Sequence, residues 1–332
     1  MHLGFARALE RAGFDVYPCL IKDWKRMKSQ FLSIGDFDFA IVNDLVHGVG
    51  DCPGQLCFAD LKGIRAVTSL IIGLVAESVY SYREASGAVP TWVAQRIGNF
   101  SGSLPFFDGL WMVDIRDKNS RIFESFEAVE LAPFCCEDIR VLSGRPIGRR
   151  EFIFCGTINE HREAFLSSIG HMNFVIGCPN NEDEKFWNPY VMNMRSMNYS
   201  SPQAYMLSIS RLAQIRIEAE IFLLKYYASF RGLIHLPTYW RGLHPRFLHA
   251  ALAGIVPLMP EFHTHPAYGL LPGVHYLSFK PEDPESIKLA VDCLDADPFL
   301  EEKISMEARK IALDRFSESS HISTLRDLLK KL

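Results

Sequence analysis

No run of this 332-residue chain is long and apolar enough to cross a bilayer: its most apolar window, AVTSLIIGLVA at 66–76, falls well short of the about 20 residues a spanning helix takes. The start, MHLGFARALERAGFDV, lacks the basic segment and apolar core of a secretory signal peptide. An excess of one charge is missing too. With 35 Lys and Arg against 39 Asp and Glu, net charge −4 and pI near 6.3, there is no field to gather nucleic acid or an anionic membrane, so any anion site must be local. Cysteine is sparse at eight residues, which excludes a disulfide scaffold. Cys52, Cys57, Cys135 and Cys136 do not have the paired spacing of a structural zinc site, and Cys19, Cys155, Cys178 and Cys293 sit in strand-like or apolar contexts. Reduced thiols in a cytoplasmic protein are expected. HGVGDCPG lacks G-x-G-x-x-G, and no internal repeat or low-complexity tract is present.

What is present is an ordinary globular composition, 48% hydrophobic and 22% charged, with mean hydropathy +0.04. The length favours two lobes of about 150 residues each. An amphipathic helix from residue 2 (Leu3, Ala6, Leu9, Ala12) precedes a strand FDVYPCL, a helix KDWKRMKSQFLSIG, and strands FDFAIVNDL and IRAVTSLIIGLVAES. A helix around TWVAQRIG, strand GLWMVDI, helix KNSRIFESF and strand AVELAP complete a first lobe over 1–134. This alternation specifies α/β lobes with parallel sheets and crossover helices. A helix before any strand leads to the expectation that the lobe's first strand is absent. The Gly/Pro/Arg-rich 135–150 reads as a linker.

A second lobe, 151–318, begins EFIFCGT–EHREAFLSSIG–NFVIGCP, contains an irregular insertion at 178–205 and a long helical pattern to about 230, and closes with DPESIKLAVDCL and SMEARKIALDRF; 319–332 is a helical tail. Within it stands HPRFLHAALAGIVPLMP, 244–260. As a helix, 246–253 puts Arg246, His249, Ala250 and Ala253 on one face, with Pro245 suited to the first turn and Gly254 to the stop. GLIHLP enters this unit as a strand and IVPLM leaves it as one.

In open parallel sheets, ligands bind beyond the carboxyl ends of the strands. In the second lobe this selects GTINEHR (156–162) and TYWRGLHPR (238–246). Gly156 lets backbone approach a phosphate, Thr157 offers a hydroxyl, and Arg162, Arg241 and Arg246 offer charge-assisted bonds beside helix N-termini. The same arginines also suit surface ion pairs, and His249 also suits a satisfied core position. In the first lobe the rule selects Asn43, Asp44 and His47 after FAIV, and Glu77 after LIIGLVA. A carboxylate there serves as base toward an acceptor hydroxyl, or as a cap or salt-bridge partner. HTH at 263–265 has metal-binding side chains but no third ligand in view, so a solvated loop is expected.

Arg246-Phe-Leu-His249, then AALA, Gly254 and IVPL, resembles the C-terminal segment of the group 1 glycosyltransferases of the GT-B fold, especially the spore-maturation-protein-like branch. FIFCGTINEHREAFLSSIG, GLVAESVYSY, FDGLWMVDI and AVELAPFC are similar to other parts of that family, loosely over most of the chain and well over 230–317. The resemblance implies two doubly wound Rossmann-like lobes with an interlobe cleft. It also implies transfer of a sugar from a nucleotide-diphosphate sugar to an acceptor (glycan, lipid-linked or protein), with no cofactor and no metal. Arg246 and Arg241 would stabilise the leaving diphosphate, and Gly156, Thr157 and Arg162 would complete the donor site. Glu77, Asp44 and His47 would serve the acceptor. His249 stands where the family carries a Glu that touches the donor ribose, and an imidazole has fewer acceptor sites than a carboxylate. A degenerate, binding-only relative, or another two-lobed enzyme such as a sugar-nucleotide epimerase, therefore stays open.

Overall fold

The computed structural model describes residues 2–43, 49–50, 55–75, 91–114, 123, 126, 128–131, 151–156, 158, 160–170, 174–177, 192–194, 196–236, 243–297 and 299–332. Two compact units emerge. One comprises Met1–Cys135, Asn193–Ala213 and Glu318–Leu332; the other comprises Cys136–Met192 and Gln214–Ser317. The linker expected over 135–150 lies outside the described residues.

The first unit is built on four parallel strands in sequential order: β1 (Phe37–Val42), β2 (Thr68–Val75), β3 (Gly109–Met112) and β4 (Val129–Leu131). TSLIIGLV and GLWM read as continuous apolar runs because helices cover parallel strands on both faces, and Ile71, Ile72, Leu110 and Trp111 are fully buried. The terminal helices, His2–Arg11 and Glu318–Lys331, pack together on this sheet, with Ala8, Leu9, Ile322, Leu325 and Leu328 in one core with Trp111. The Trp111 Nε1–H donates to Thr324 Oγ1 at 3.1 Å. The tail at 319–332 is thus a structural part of the first unit.

The strand expected over 14–20 does not form. Phe14 and Tyr17 pack edge-on against Phe39 and Phe37 of β1, at 5.7 and 5.5 Å between ring centroids, but the backbone joins no ladder. Pro18 has no N–H to give, and the Leu20 N–H goes to the Tyr205 hydroxyl at 3.0 Å. That contact explains a second departure, the placement of 193–213 with the first unit rather than the second. Tyr199 and Tyr205 both donate to the buried Asp23 carboxylate at 3.1 Å. Periodicity also passed over a helix at Phe58–Arg65. Its N-cap is Cys57, outside the usual Ser/Thr/Asp/Asn set, with the Asp60 carboxylate accepting the Cys57 N–H at 3.0 Å.

The second unit holds five parallel strands: β5 (Phe152–Cys155), β6 (Phe174–Gly177), β7 (Gly232–Ile234), β8 (Val256–Met259) and β9 (Leu277–Ser278), in spatial order β6-β5-β7-β8-β9. In chain order this is second, first, third, fourth, fifth, the doubly wound arrangement whose winding reverses between β5 and β7. Helices Glu160–Ser168, Pro284–Ala296 and Leu300–Arg315 supply Phe165, Leu166, Ile287, Leu294 and Ile304 to its core. The long pattern at 202–227 is one helix, with no hidden strand.

Gly232 keeps this sheet closed: a Cβ there would lie 2.7 Å from the Val256 carbonyl oxygen and 2.8 Å from Phe152 Cδ1. Backbone of a central strand cannot retreat as a flexible side chain can. Gly232→Ala is therefore expected to cost about 1–3 kcal/mol, in the range of core overpacking. A thermal melt of the variant reads this directly, and an unchanged Tm would contradict it.

Candidate functional site

β5 and β7 flank the winding reversal of the second sheet, and two arginines, Arg162 and Arg246, meet beyond the end of β5. After Cys155 the chain turns at Gly156, φ +153°, a conformation that L side chains rarely adopt. The turn is glycine for a second reason. A Cβ at 156 would overlap the Arg246 guanidinium and lie 3.6 Å from Arg162 Nη1. Gly156, Arg162 and Arg246 therefore meet at one point.

Each arginine is placed by a helix. Pro245–Ala253 has Pro245 in its first turn, a His244 N-cap whose Nδ1 accepts the Arg246 N–H at 3.1 Å, and Gly254 in the left-handed conformation at φ +73° as its stop. Phe247, Leu248, Ala250, Ala251, Leu252 and Ala253 are buried, which sets Arg246 and His249 at the helix's half-buried polar edge. Arg162, two residues into Glu160–Ser168, is 4% exposed, and its Nη2 donates to the Leu236 carbonyl at the exit of β7 at 2.7 Å.

Electrostatics at this point is one-sided. Burial and the Arg246 charge push Arg162 down to about 10, and burial lowers Arg246 as well. No described carboxylate pairs with Arg246, and its Nη1 is buried without a hydrogen-bond partner among the described residues. Three imidazoles surround the pair. Burial, then Arg246 and Arg162, holds His235 well below the usual histidine range; His244 is held low by burial, then His235 and Arg246. His249 falls to about 4 through burial and Arg246, opposed by Glu220, and its ring lies 6.2 Å from that of Tyr227. All three are neutral near pH 7. Two guanidiniums forced together in a half-desolvated crevice are unfavourable unless an anion joins them.

No protein-family model matches the chain, and no curated protein matches it in sequence. Solved structures do share its architecture. It is similar to sucrose-phosphate synthase from Thermosynechococcus elongatus, at TM-score 0.59 and 10% identity over 94% of this chain and 76% of that one. HepE from Anabaena, in complex with UDP and glucose, superposes at TM-score 0.58 with 11% identity, over 98% and 89% of the two chains. An alpha-glucosyltransferase in complex with UDP and a 13-mer DNA gives TM-score 0.55 and 12% identity, over 97% and 86%. The fold is GT-B. Its two Rossmann-like lobes correspond to the two parallel sheets described above.

Of the candidate residues on this GT-B scaffold, Gly156, Arg162 and Arg246 come together, with His249 one helical turn from Arg246. Asp44, His47, Glu77, Thr157 and Arg241 lie outside the described residues. Sequence reasoning missed His235 and His244 as members. His235 is the first residue after β7, so the strand-end rule pointed at it, but GLIHLP reads as apolar strand throughout. The HTH run is not a solvated loop: Thr264 and His265 are 0% and 1% exposed. Thr264 Oγ1 accepts the Leu243 N–H at 3.0 Å, and His265 Nδ1 bonds the Tyr276 hydroxyl at 2.9 Å, fixing the chain that enters the Arg246 helix.

Proposed function

We propose that the chain is a glycosyltransferase that takes its sugar from a nucleoside-diphosphate sugar held in the second lobe. The observation that carries this is the convergence of the Arg246 and Arg162 guanidiniums on the Gly156 turn, at the winding reversal of a GT-B sheet. As the bond between sugar and diphosphate breaks, negative charge builds on the departing phosphate. Fixed guanidinium donors stabilise that charge more in the transition state than in the ground state. The resemblance of the Arg246–Leu258 segment supports kinship with the spore-maturation-protein-like branch. Hexosyl transfer is supported by neighbours whose structures hold UDP with glucose, or UDP-glucose. Arg241 and Thr157 belong to the same donor site; Glu77, Asp44 and His47 serve the acceptor hydroxyl, which we assign to a glycan, lipid-linked or protein acceptor in the cytoplasm. A neighbour bound to DNA makes modified DNA a further acceptor to assay.

The arginine pair supplies the charge a divalent cation would otherwise supply, so the reaction is proposed to run without metal. His249 favours a second reading. A neutral imidazole at the ribose-contacting position weakens donor placement, and a binding-only protein would keep the arginines and lose turnover. One experiment separates them. Purified protein is melted with UDP, GDP and their sugars, then assayed for nucleotide release against a broad acceptor panel with and without EDTA. A Tm rise with one nucleotide and EDTA-resistant release is expected. Tm rise without release against any acceptor would favour the second reading, and no Tm rise with any nucleotide would sink both.

A further inference from the structure

His235 is 4% exposed, and neither ring nitrogen has a hydrogen-bond partner among the described residues. A neutral imidazole carries one N–H and one lone pair, so burying both unsatisfied is costly. Its ring stacks on His244 at 4.8 Å between centroids with 24° between planes, while Phe262 meets it edge-on at 6.0 Å. Among the described residues, the ionisable groups that act on it are Arg246 and the N-cap His244 of the helix Pro245–Ala253, Arg162 from the helix after β5, and His265 from the turn after β8. None is an acid.

Resting on the nucleotide-sugar reading above, we propose that His235 is a contact for the donor diphosphate and takes up a proton from solvent as the diphosphate binds. The two stacked rings are not equivalent in this. His244 Nδ1 must keep its lone pair to accept the Arg246 N–H, so protonation there would cost the helix its cap. His235 has no such duty. Burial first, then the two guanidiniums, keep His235 neutral; an arriving diphosphate brings negative charge against those guanidiniums and beside the ring, which favours its charged form. As an imidazolium it offers two N–H donors to phosphate, and its charge lies over the π face of His244. The site then goes from two cations to three as the anion arrives. Its affinity tightens toward acid.

The probes are UDP-glucose and GDP-mannose, because a diphosphate esterified at both ends has no ionisation of its own near pH 6. Calorimetric titration at pH 6.5 in PIPES and in imidazole buffer, which differ in ionisation enthalpy, counts the protons taken up. Wild-type protein is expected to take up a sizeable fraction of one proton per ligand. Affinity should rise by up to about tenfold from pH 7.5 to pH 6.5, the limit for one linked proton. His235→Gln keeps an N–H and cannot titrate, so it should bind with no proton uptake and a flat pH profile. Binding with equal heats in the two buffers would overturn the proton uptake and leave the donor reading standing. Undiminished uptake in His235→Gln would move the proton to another group and overturn the assignment. Failure of both probes to bind would overturn the donor reading and this inference together.

Discussion

In an Arg246→Ala variant, the stabilisation that a nucleotide-diphosphate sugar gives the wild-type protein disappears, while the ligand-free protein melts at the same temperature or higher. The two halves of this result have one cause. In the free protein, Arg246 holds a charge in a half-buried crevice beside a second guanidinium, with its Nη1 unsatisfied among the described residues and no described carboxylate paired with it. Removing such a charge relieves repulsion and desolvation, so folding loses little beyond the packing of the aliphatic stem. In the complex the same charge is satisfied by phosphate. Truncating one member of a buried, hydrogen-bonded charge pair costs about 2–5 kcal/mol, a loss of about thirtyfold to several thousandfold in affinity. Arg246→Lys restores a point charge without the planar fork and recovers part of it. Thermal melts with and without ligand read both effects. A variant that melts well below wild type and still gains the full ligand shift would show that Arg246 is a structural ion, and the donor site would have to lie elsewhere.

How much of this was legible in the sequence follows from what each signal measures. HPRFLHAALAGIVPLMP declared its helix, its Pro245 start, its Gly254 stop and the strand after it, because every one of these is decided within a few residues. The strand-end rule then brought forward Gly156, Arg162 and Arg246, since a parallel sheet fixes which loops face the crevice. Long-range pairing was hidden. Nothing local in FDVYPCL shows that its Leu20 N–H goes to Tyr205, and nothing in EDEKFWNPYVMNMRSMNYS shows that the residues from Asn193 onward belong with Asp23. Burial of polar groups was hidden too. His235 and the His263–His265 run are composed of residues usually found wet, and only the packed structure shows two of those imidazoles sealed inside.

The two sealed imidazoles, with the half-buried His244 and His249, make the protein sensitive to mild acid. His235 and His244 are held well below the usual histidine range by burial first and then by neighbouring cations or imidazoles; burial brings His249 to about 4 and His265 to about 3. The sign follows from proton binding. A histidine in the unfolded chain titrates near 6.5, so between that pH and the folded value the unfolded state holds more protons. The stability these groups contribute is whole above pH 6.5, is lost as pH falls below it, and goes on being lost until pH 4 for His249 and pH 3 for His265. A fully buried imidazole removes up to about 1.4 kcal/mol per pH unit, so His265 takes about 2 kcal/mol by pH 5, and the other lowered imidazoles add to it. Together these are a sizeable part of the roughly 5–15 kcal/mol that holds a native protein together. Tm is expected to drop steeply between pH 7 and pH 5, before most carboxylates begin to protonate. His265→Gln, which keeps a side-chain partner for Tyr276, should make the drop shallower. A Tm constant from pH 7.5 to pH 5 would mean that these rings reach water or a carboxylate in solution. Bound donor opposes the loss at one ring, because the anion lets His235 take up a proton from solvent while folded, which removes the advantage the unfolded chain would gain from that proton. The ligand-induced rise in Tm therefore grows as pH falls, although the ligand-free protein weakens over the same range.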